Sequence, residues 1–183
     1  NKTLHKNIQI LEAGHYFEIN LLQKNIKKTQ YWDFDFSSNK EVVKDEREYT
    51  EELDRLFCQA VKRQLVSDVP IGSYLSGGMD SGSITAITSN IFQKSDNFLK
   101  TFTVGFDMSS ASGLELSFDE RSKAEYMSYK FKTEHYEMVL KSGDMERCLQ
   151  GFASHLEEPR VGQSYPNYYI SELASRHVKV VLS

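Results

Sequence analysis

The chain has 183 residues, 39% hydrophobic and 26% charged, with a formal net charge of −4. That balance sits near the average for globular proteins and supplies enough apolar material for a sizeable core. It argues against the basic patch that nucleic-acid binding favours, and no apolar run reaches the length of a membrane-spanning helix.

Residues 1–36 read differently from the rest. Gly14 precedes His15-Tyr16-Phe17-Glu18-Ile19-Asn20, and Lys28-Thr29-Gln30-Tyr31-Trp32-Asp33 follows a polar turn around Gln23 to Asn25. Two aromatic-rich strands joined by a polar turn predict a hairpin. It is too small to be stable alone, so its domain is expected to lie mostly upstream. Residues 37–44 read as a polar linker, and residues 45–183 as a second domain. From Arg47 to Val66, Leu53, Leu56, Phe57, Ala60, Val61 and Leu65 fall at the spacing of a helix with one buried face.

An alternation follows. Val69–Leu75 reads as a buried strand, Asp80–Phe92 as a helix, and Leu99–Phe106 as a strand. Phe118–Phe131 reads as a helix, Thr133–Leu140 as a strand, Gly143–His155 and Asn167–Arg176 as helices, and Val178–Leu182 as a last strand. Strands alternating with helices predict an α/β fold with a doubly wound parallel sheet. Cys58 and Cys148 each sit among apolar residues at helical spacing and are expected to be buried free thiols. Two cysteines without a secretory signal suggest a reducing, cytoplasmic setting. The chain opens on Asn1 and closes at the tip of an apolar strand, so an incomplete chain is expected.

The segment that carries chemistry is Tyr74-Leu75-Ser76-Gly77-Gly78-Met79-Asp80-Ser81-Gly82, where the first predicted strand of the alternation gives way to a helix. In open α/β sheets ligands bind at that end of the strands. Gly77 and Gly78 let backbone amides approach a ligand, Ser76 and Ser81 add hydroxyls, and a helix N-terminus points its free N–H groups at the same place. Together they suit a pyrophosphate. A carboxylate facing phosphates needs a cation between them, so Asp80 reads as a Mg²⁺ ligand; Asp is also a common helix N-cap, and both readings stand. The Gly-x-x-x-x-Gly-Lys pattern of the Walker loop is absent.

Ser76-Gly77-Gly78-x-Asp80-Ser81 resembles the pyrophosphate loop of the ATP-pyrophosphatase superfamily, which implies cleavage of ATP between its α and β phosphates. Val69–Gly78, Lys100–Phe106, Phe118-Asp119-Glu120 with Ala124, Thr133–Glu137, Glu158-Pro159 and Val178–Ser183 are similar, in order, to the synthetase domain of glutamine-hydrolysing asparagine synthetases. Gly14-His15-Tyr16 and Tyr31-Trp32 resemble the end of that family's glutaminase domain. The resemblance implies an adenine-nucleotide-α-hydrolase-like fold carrying a hairpin left from the glutaminase domain.

It further implies that Ser76, Gly77, Gly78, Asp80 and Ser81 bind pyrophosphate and its Mg²⁺, with Asp80 and Ser81 the catalytic candidates. Tyr74 and Val104 match positions whose backbone holds adenine, although plain core roles suit both, and Ser183 matches another nucleotide contact. Asp119 and Glu120 stand at a helix start, where capping accounts for carboxylates. His135, in a strand without a partner at metal spacing, reads as structural. Glu157 and Glu158 belong either near the acceptor site or to a solvated loop. Met79 stands for the family's usual Leu, Gly82 for a second Ser, and Arg160–Tyr165 departs from the pattern expected after Glu-Pro.

The implied parent enzyme adenylylates aspartate with ATP and Mg²⁺ and then transfers glutamine-derived ammonia to it. It is compatible with a homodimer. Alternatives are a related synthetase that amidates or cyclises another carboxylate, and a nucleotide-binding module without turnover. The family's glutaminase cysteine and the acidic loop expected after Ser183 are not in this sequence.

Overall fold

A computed structural model describes residues 2–36, 45–109, 119–156 and 164–183. The chain separates into two compact units, Asn1–Asp45 and Glu46–Ser183. In the first, β1 (His15–Asn20) pairs antiparallel with β2 (Asn25–Gln30), His15 opposite Gln30 and Asn20 opposite Asn25.

The second strand thus lies three residues before the position that its pattern predicts. Asn20 accounts for the shift. Its side-chain oxygen accepts the backbone N–H groups of Leu22 and Gln23 at 3.1 and 2.9 Å, so the chain reverses at once. Tyr31 and Trp32 fall outside the ladder, and both donate their N–H groups to the carbonyl of Gly14, at 2.8 and 3.3 Å. Phe17, Ile19, Leu22, Ile26 and Trp32 of this small unit remain exposed.

The second unit runs α1 (Glu46–Gln64), β3 (Ile71–Tyr74), α2 (Met79–Gln93), β4 (Lys100–Phe106), α3 (Arg121–Phe131), β5 (Glu134–Leu140), α4 (Asp144–Leu156), α5 (Ser164–Ser175) and β6 (Val180–Leu182). Its four strands form one parallel sheet in the order β5-β4-β3-β6. The α/β class and the parallel sheet with helices on both faces are as the alternation predicts.

Period-2 alternation along the strands divides the two faces. Phe102 of β4 is fully buried and packs with Ile170, Leu173 and Ala174 of α5 and with Val178; Tyr74, Val104, Tyr136 and Met138 flank the same cluster. The Phe102 and Tyr136 rings stack at 5.6 Å. The neighbours in sequence face the other way and are hydroxyl-bearing. Ser73 Oγ lies 3.2 Å from Thr85 Oγ1 of α2, and Thr101 Oγ1 lies 2.8 Å from Thr133 Oγ1 and 2.9 Å from His135 Nδ1. Buried polar groups must find partners, and here they find them mostly in each other, so the α2–α3 side of the sheet is held by a hydroxyl network and the α5 side by aromatic and aliphatic packing.

Two expectations fail around α1. It packs chiefly on α2, so it buries only a narrow stripe: Val61 is buried, whereas Leu53 and Leu56 are 67% and 47% exposed. Cys58 on that helix is half-buried, its Sγ 3.8 Å from Asp54 Oδ1, while Cys148 is buried as expected; both are free thiols.

Candidate functional site

The order β5-β4-β3-β6 places a reversal at β3. The chain moves outward from β3 through β4 to β5, then returns to lay β6 on the other side of β3. Such switch points open a crevice at the carboxyl ends of the strands. The loop after β3 therefore stands where this fold receives ligands.

The loop is closed by its own serines. Ser76 Oγ and Ser81 Oγ lie 3.0 Å apart, the Ser76 N–H donates to Ser81 Oγ at 3.2 Å, and Ser81 Oγ donates to the Gly78 carbonyl at 3.3 Å. The Gly78 N–H reaches Ser76 Oγ at 3.4 Å. Gly78, not Asp80, is the N-cap of α2, and no side chain caps this helix. The N-cap reading of Asp80 is therefore corrected: Asp80 lies inside the first turn, where its charge still favours the positive helix end. The first-turn N–H groups are left without a side-chain acceptor, the usual condition for holding an anion.

The two glycines differ. Gly77 adopts φ +79°, and a Cβ there would lie 2.6 Å from Lys123 Cβ and 3.1 Å from the Ala124 nitrogen. The fold itself demands glycine at this position. Gly78 has φ −78°, open to any residue, and a Cβ there would meet only Ser76 Oγ at 3.4 Å. Protein packing gives no reason for glycine at 78, so bare backbone there suits close approach by a ligand.

Beside the loop lies a cavity of about 180 Å³ lined by Tyr74, Ser76, Val104 and Phe106 together with Glu120 and Asn167. The predicted positions Tyr74, Val104 and Ser76 thus meet in one space, and Tyr74 and Val104 also pack on the core. The Tyr74 hydroxyl is fixed 3.0 Å from Ser171 Oγ of α5. Asp80 is exposed and lines a different hollow between α1 and α2, with Phe57 and Ile84. Ser183, exposed beyond β6, follows the Ser73–Leu182 pair and so stands level with Tyr74, but it does not line the Tyr74 cavity. Glu157, Glu158 and residues 160–163 lie outside the described residues.

Asp119 and Glu120 divide their tasks. Asp119 accepts the Arg121 N–H at 3.2 Å and grips the guanidinium at 2.7–3.0 Å, which holds its pKa below the ordinary carboxylate value. Arg121 also donates to the Phe106 carbonyl at 3.1 Å and crosses Gly105 so closely that a Cβ there would lie 2.3 Å from its Cδ. Glu120 is the N-cap position of α3 but makes no side-chain cap; its side chain faces the cavity instead. The capping expectation holds for Asp119 and fails for Glu120. Asn167 is a further lining residue that the sequence reading passes over. Its signal is its place in the first turn of a helix that opens beside the carboxyl end of the sheet.

His135 belongs to the hydroxyl network of the sheet. Its Nδ1 bonds Thr101, its Nε2 is buried without a partner, and burial lowers its pKa. Gly82 also has a packing reason: a Cβ there would lie 3.0 Å from Met127 Sδ, so the second serine common in the resembling family would crowd the α2–α3 contact.

Among the described residues no cluster of three or more His, Cys, Asp or Glu could hold a metal. A divalent cation here would be held by the Asp80 carboxylate and substrate oxygens, a mode that Mg²⁺ uses. The donor set fits that mode: Asp80 has no protein partner among the described residues and stands on the helix that the loop opens. Also among them, no helix is long and apolar enough to cross a membrane.

A parallel α/β sheet with a serine- and glycine-built loop at its switch point defines an α/β domain of the open-sheet class. Comparison with known proteins narrows this. The asparagine synthase family model matches residues 52–183, so the chain belongs to the asparagine synthase family. It is 31% identical over 182 residues to the Methanocaldococcus jannaschii protein provisionally named glutamine-hydrolyzing asparagine synthetase 2, covering 99% of this chain and 33% of that protein. It is 29% identical over 182 residues to glutamine-hydrolyzing asparagine synthetase 1 of Bacillus subtilis, covering 99% of this chain and 26% of the relative. A third relative, amidase chyE of Penicillium rubens, is 27% identical over 123 residues, covering 61% of this chain and 18% of its own length. The chain thus spans about a third or less of these relatives.

Proposed function

We propose that this chain is the nucleotide-binding part of an amide-forming ligase that adenylylates aspartate with ATP and passes ammonia derived from glutamine to the activated carboxyl. The observation that carries the reading is the Ser76–Ser81 loop, closed by its own hydroxyls and seated at the switch point of the parallel sheet.

In this reading Ser76, Gly77, Gly78 and Ser81 bind the β and γ phosphates, and adenine occupies the cavity beside Tyr74 and Val104. That cavity is smaller than the roughly 300–1,000 Å³ of a drug-sized pocket, which suits one heterocycle with the phosphates lying outside over the loop. Asp80 would hold a Mg²⁺ ion shared with the phosphate oxygens, and bound Mg²⁺ would neutralise charge on the departing pyrophosphate. The loop amides and hydroxyls receive the same charge from preorganised positions, and such preorganised electrostatics usually lower the barrier more than any other effect. Ser183 contributes a nucleotide contact from the other side of the switch point. No residue serves as a covalent nucleophile; the chain positions the carboxylate, ATP and ammonia.

Residues 1–36 belong to the end of a glutaminase domain in the same reading, with residues 37–44 as linker and residues 45–183 as the first part of the synthetase domain. The exposed aromatic and aliphatic side chains of the hairpin support this, since they need covering by further structure. A second reading keeps the same loop and has it activate a different carboxylate.

The test is product analysis on the full-length protein with ATP, Mg²⁺, aspartate and either glutamine or ammonia. The proposal expects one AMP and one pyrophosphate for each asparagine. ADP and phosphate instead would overturn α/β cleavage. AMP formation only with another carboxylate would favour the second reading.

A further inference from the structure

α3 begins against the loop, and its first turn carries two cations, Arg121 and Lys123, and no acid. Positive side chains at a helix N-terminus oppose the helix dipole, so each calls for a compensating anion. Arg121 has one: Asp119 grips it, and Glu137 stands 3.7 Å away. The Lys123 side chain has no ion-pair or hydrogen-bond partner among the described residues, and it is exposed.

Its position is specific. A Cβ built on Gly77 would lie 2.6 Å from Lys123 Cβ, so the lysine stem starts in contact with the glycine of the anion loop. A lysine side chain extends about 5 Å beyond its Cβ with freely rotating donors. From that starting point its ammonium has reach enough for a ligand lying over Gly77 and Gly78, and the lysine is exposed and so free to turn towards it.

We infer that Lys123 is a phosphate-binding residue of this site, supplying a mobile ammonium to the terminal phosphates, or to pyrophosphate, held on the Ser76–Ser81 loop. The inference rests on the anion-loop reading of the proposed function and adds to it a cation from a different element. The unfavourable place of Lys123 on α3 is then offset by the ligand rather than by a protein carboxylate.

The test is titration of the full-length protein with inorganic pyrophosphate in the presence of Mg²⁺, across a salt series, for wild type, Lys123→Gln and Lys123→Arg. Adenosine, which lacks phosphate, serves as the control ligand. Lys123→Gln is expected to weaken pyrophosphate binding about tenfold, flatten its salt dependence and leave adenosine binding and the melting temperature unchanged, with Lys123→Arg restoring most of the affinity. Wild-type binding matched by Lys123→Gln overturns this inference alone, as does an equal loss of adenosine and pyrophosphate. A folded wild type that binds no pyrophosphate overturns the loop reading and the inference together.

Discussion

Ser76 and Ser81 meet with their hydroxyl oxygens 3.0 Å apart, which joins the end of β3 to the first turn of α2. The contact sets the loop before any ligand arrives. Ser81 also accepts from the Ser76 amide and donates to the Gly78 carbonyl, so one hydroxyl holds three points of the loop. Ser81→Ala should cost about 1 kcal/mol, the usual worth of partly exposed hydrogen bonds. For a chain of this size that lowers the melting temperature by about 2–4 °C. Nucleotide affinity should fall by more than the same stability loss produces at a distant site, which calorimetry on Ser81→Ala beside a matched surface variant will reveal.

The adjacent glycines separate folding from binding. Gly77→Ala must adopt a left-handed φ and push against Lys123 and the Ala124 backbone, at a cost of about 2–4 kcal/mol. Gly78→Ala should leave stability within about 1 kcal/mol of wild type, since its backbone already suits alanine. Denaturant unfolding will show the first loss. Gly78→Ala should instead weaken nucleotide binding, because its methyl group occupies the approach to the loop.

Arg121 should not tolerate lysine. Its guanidinium grips Asp119 and donates to the Phe106 carbonyl while its stem crosses Gly105, a set of donors that an ammonium cannot copy. Arg121→Lys is expected to destabilise by about 1–2 kcal/mol despite the retained charge. Asp119, whose pKa is lowered chiefly by its hydrogen bonds to Arg121, stabilises the fold above the ordinary carboxylate pKa and loses that contribution as pH falls through its folded value. Acid unfolding of the variant should therefore be less steep below pH 4 than that of wild type.

His135 supplies a second pH dependence. Burial lowers its pKa below 6.5, so the unfolded chain binds the proton more readily than the folded one. Its stabilisation is present above the unfolded pKa and is lost as pH falls. Unfolding midpoints measured between pH 8 and 5 should drop more for wild type than for His135→Gln. Equal slopes would mean that the buried imidazole is not the proton acceptor.

The strand and helix order of the second unit was legible because its local signals are clear: a short apolar run from Val69 to Leu75, alternation from Thr133 to Leu140, and helical spacing at Ile84, Ile87 and Ile91. The loop was legible because Ser-Gly-Gly-x-Asp-Ser is a dense local signal. What failed depended on partners remote in sequence. The exposure of Leu53 and Leu56 follows from α1 having chiefly one neighbour, which no local pattern states. The register of the hairpin depended on the Asn20 side chain, whose turn outweighed the aromatic pattern of Tyr31 and Trp32. Glu120 and Asn167 come together only because β4, α3 and α5 converge at one end of the sheet.

The central proposal is that the Ser76–Ser81 loop would hold a magnesium-bound nucleotide through Asp80. Its most direct test is calorimetric titration of the full-length protein with ATP and Mg²⁺, beside Asp80→Ala. The account predicts saturable, magnesium-dependent binding by wild type and loss of most of the magnesium-dependent part in the variant, with both proteins folded. Equal affinities in the two proteins, or binding indifferent to magnesium, would contradict it.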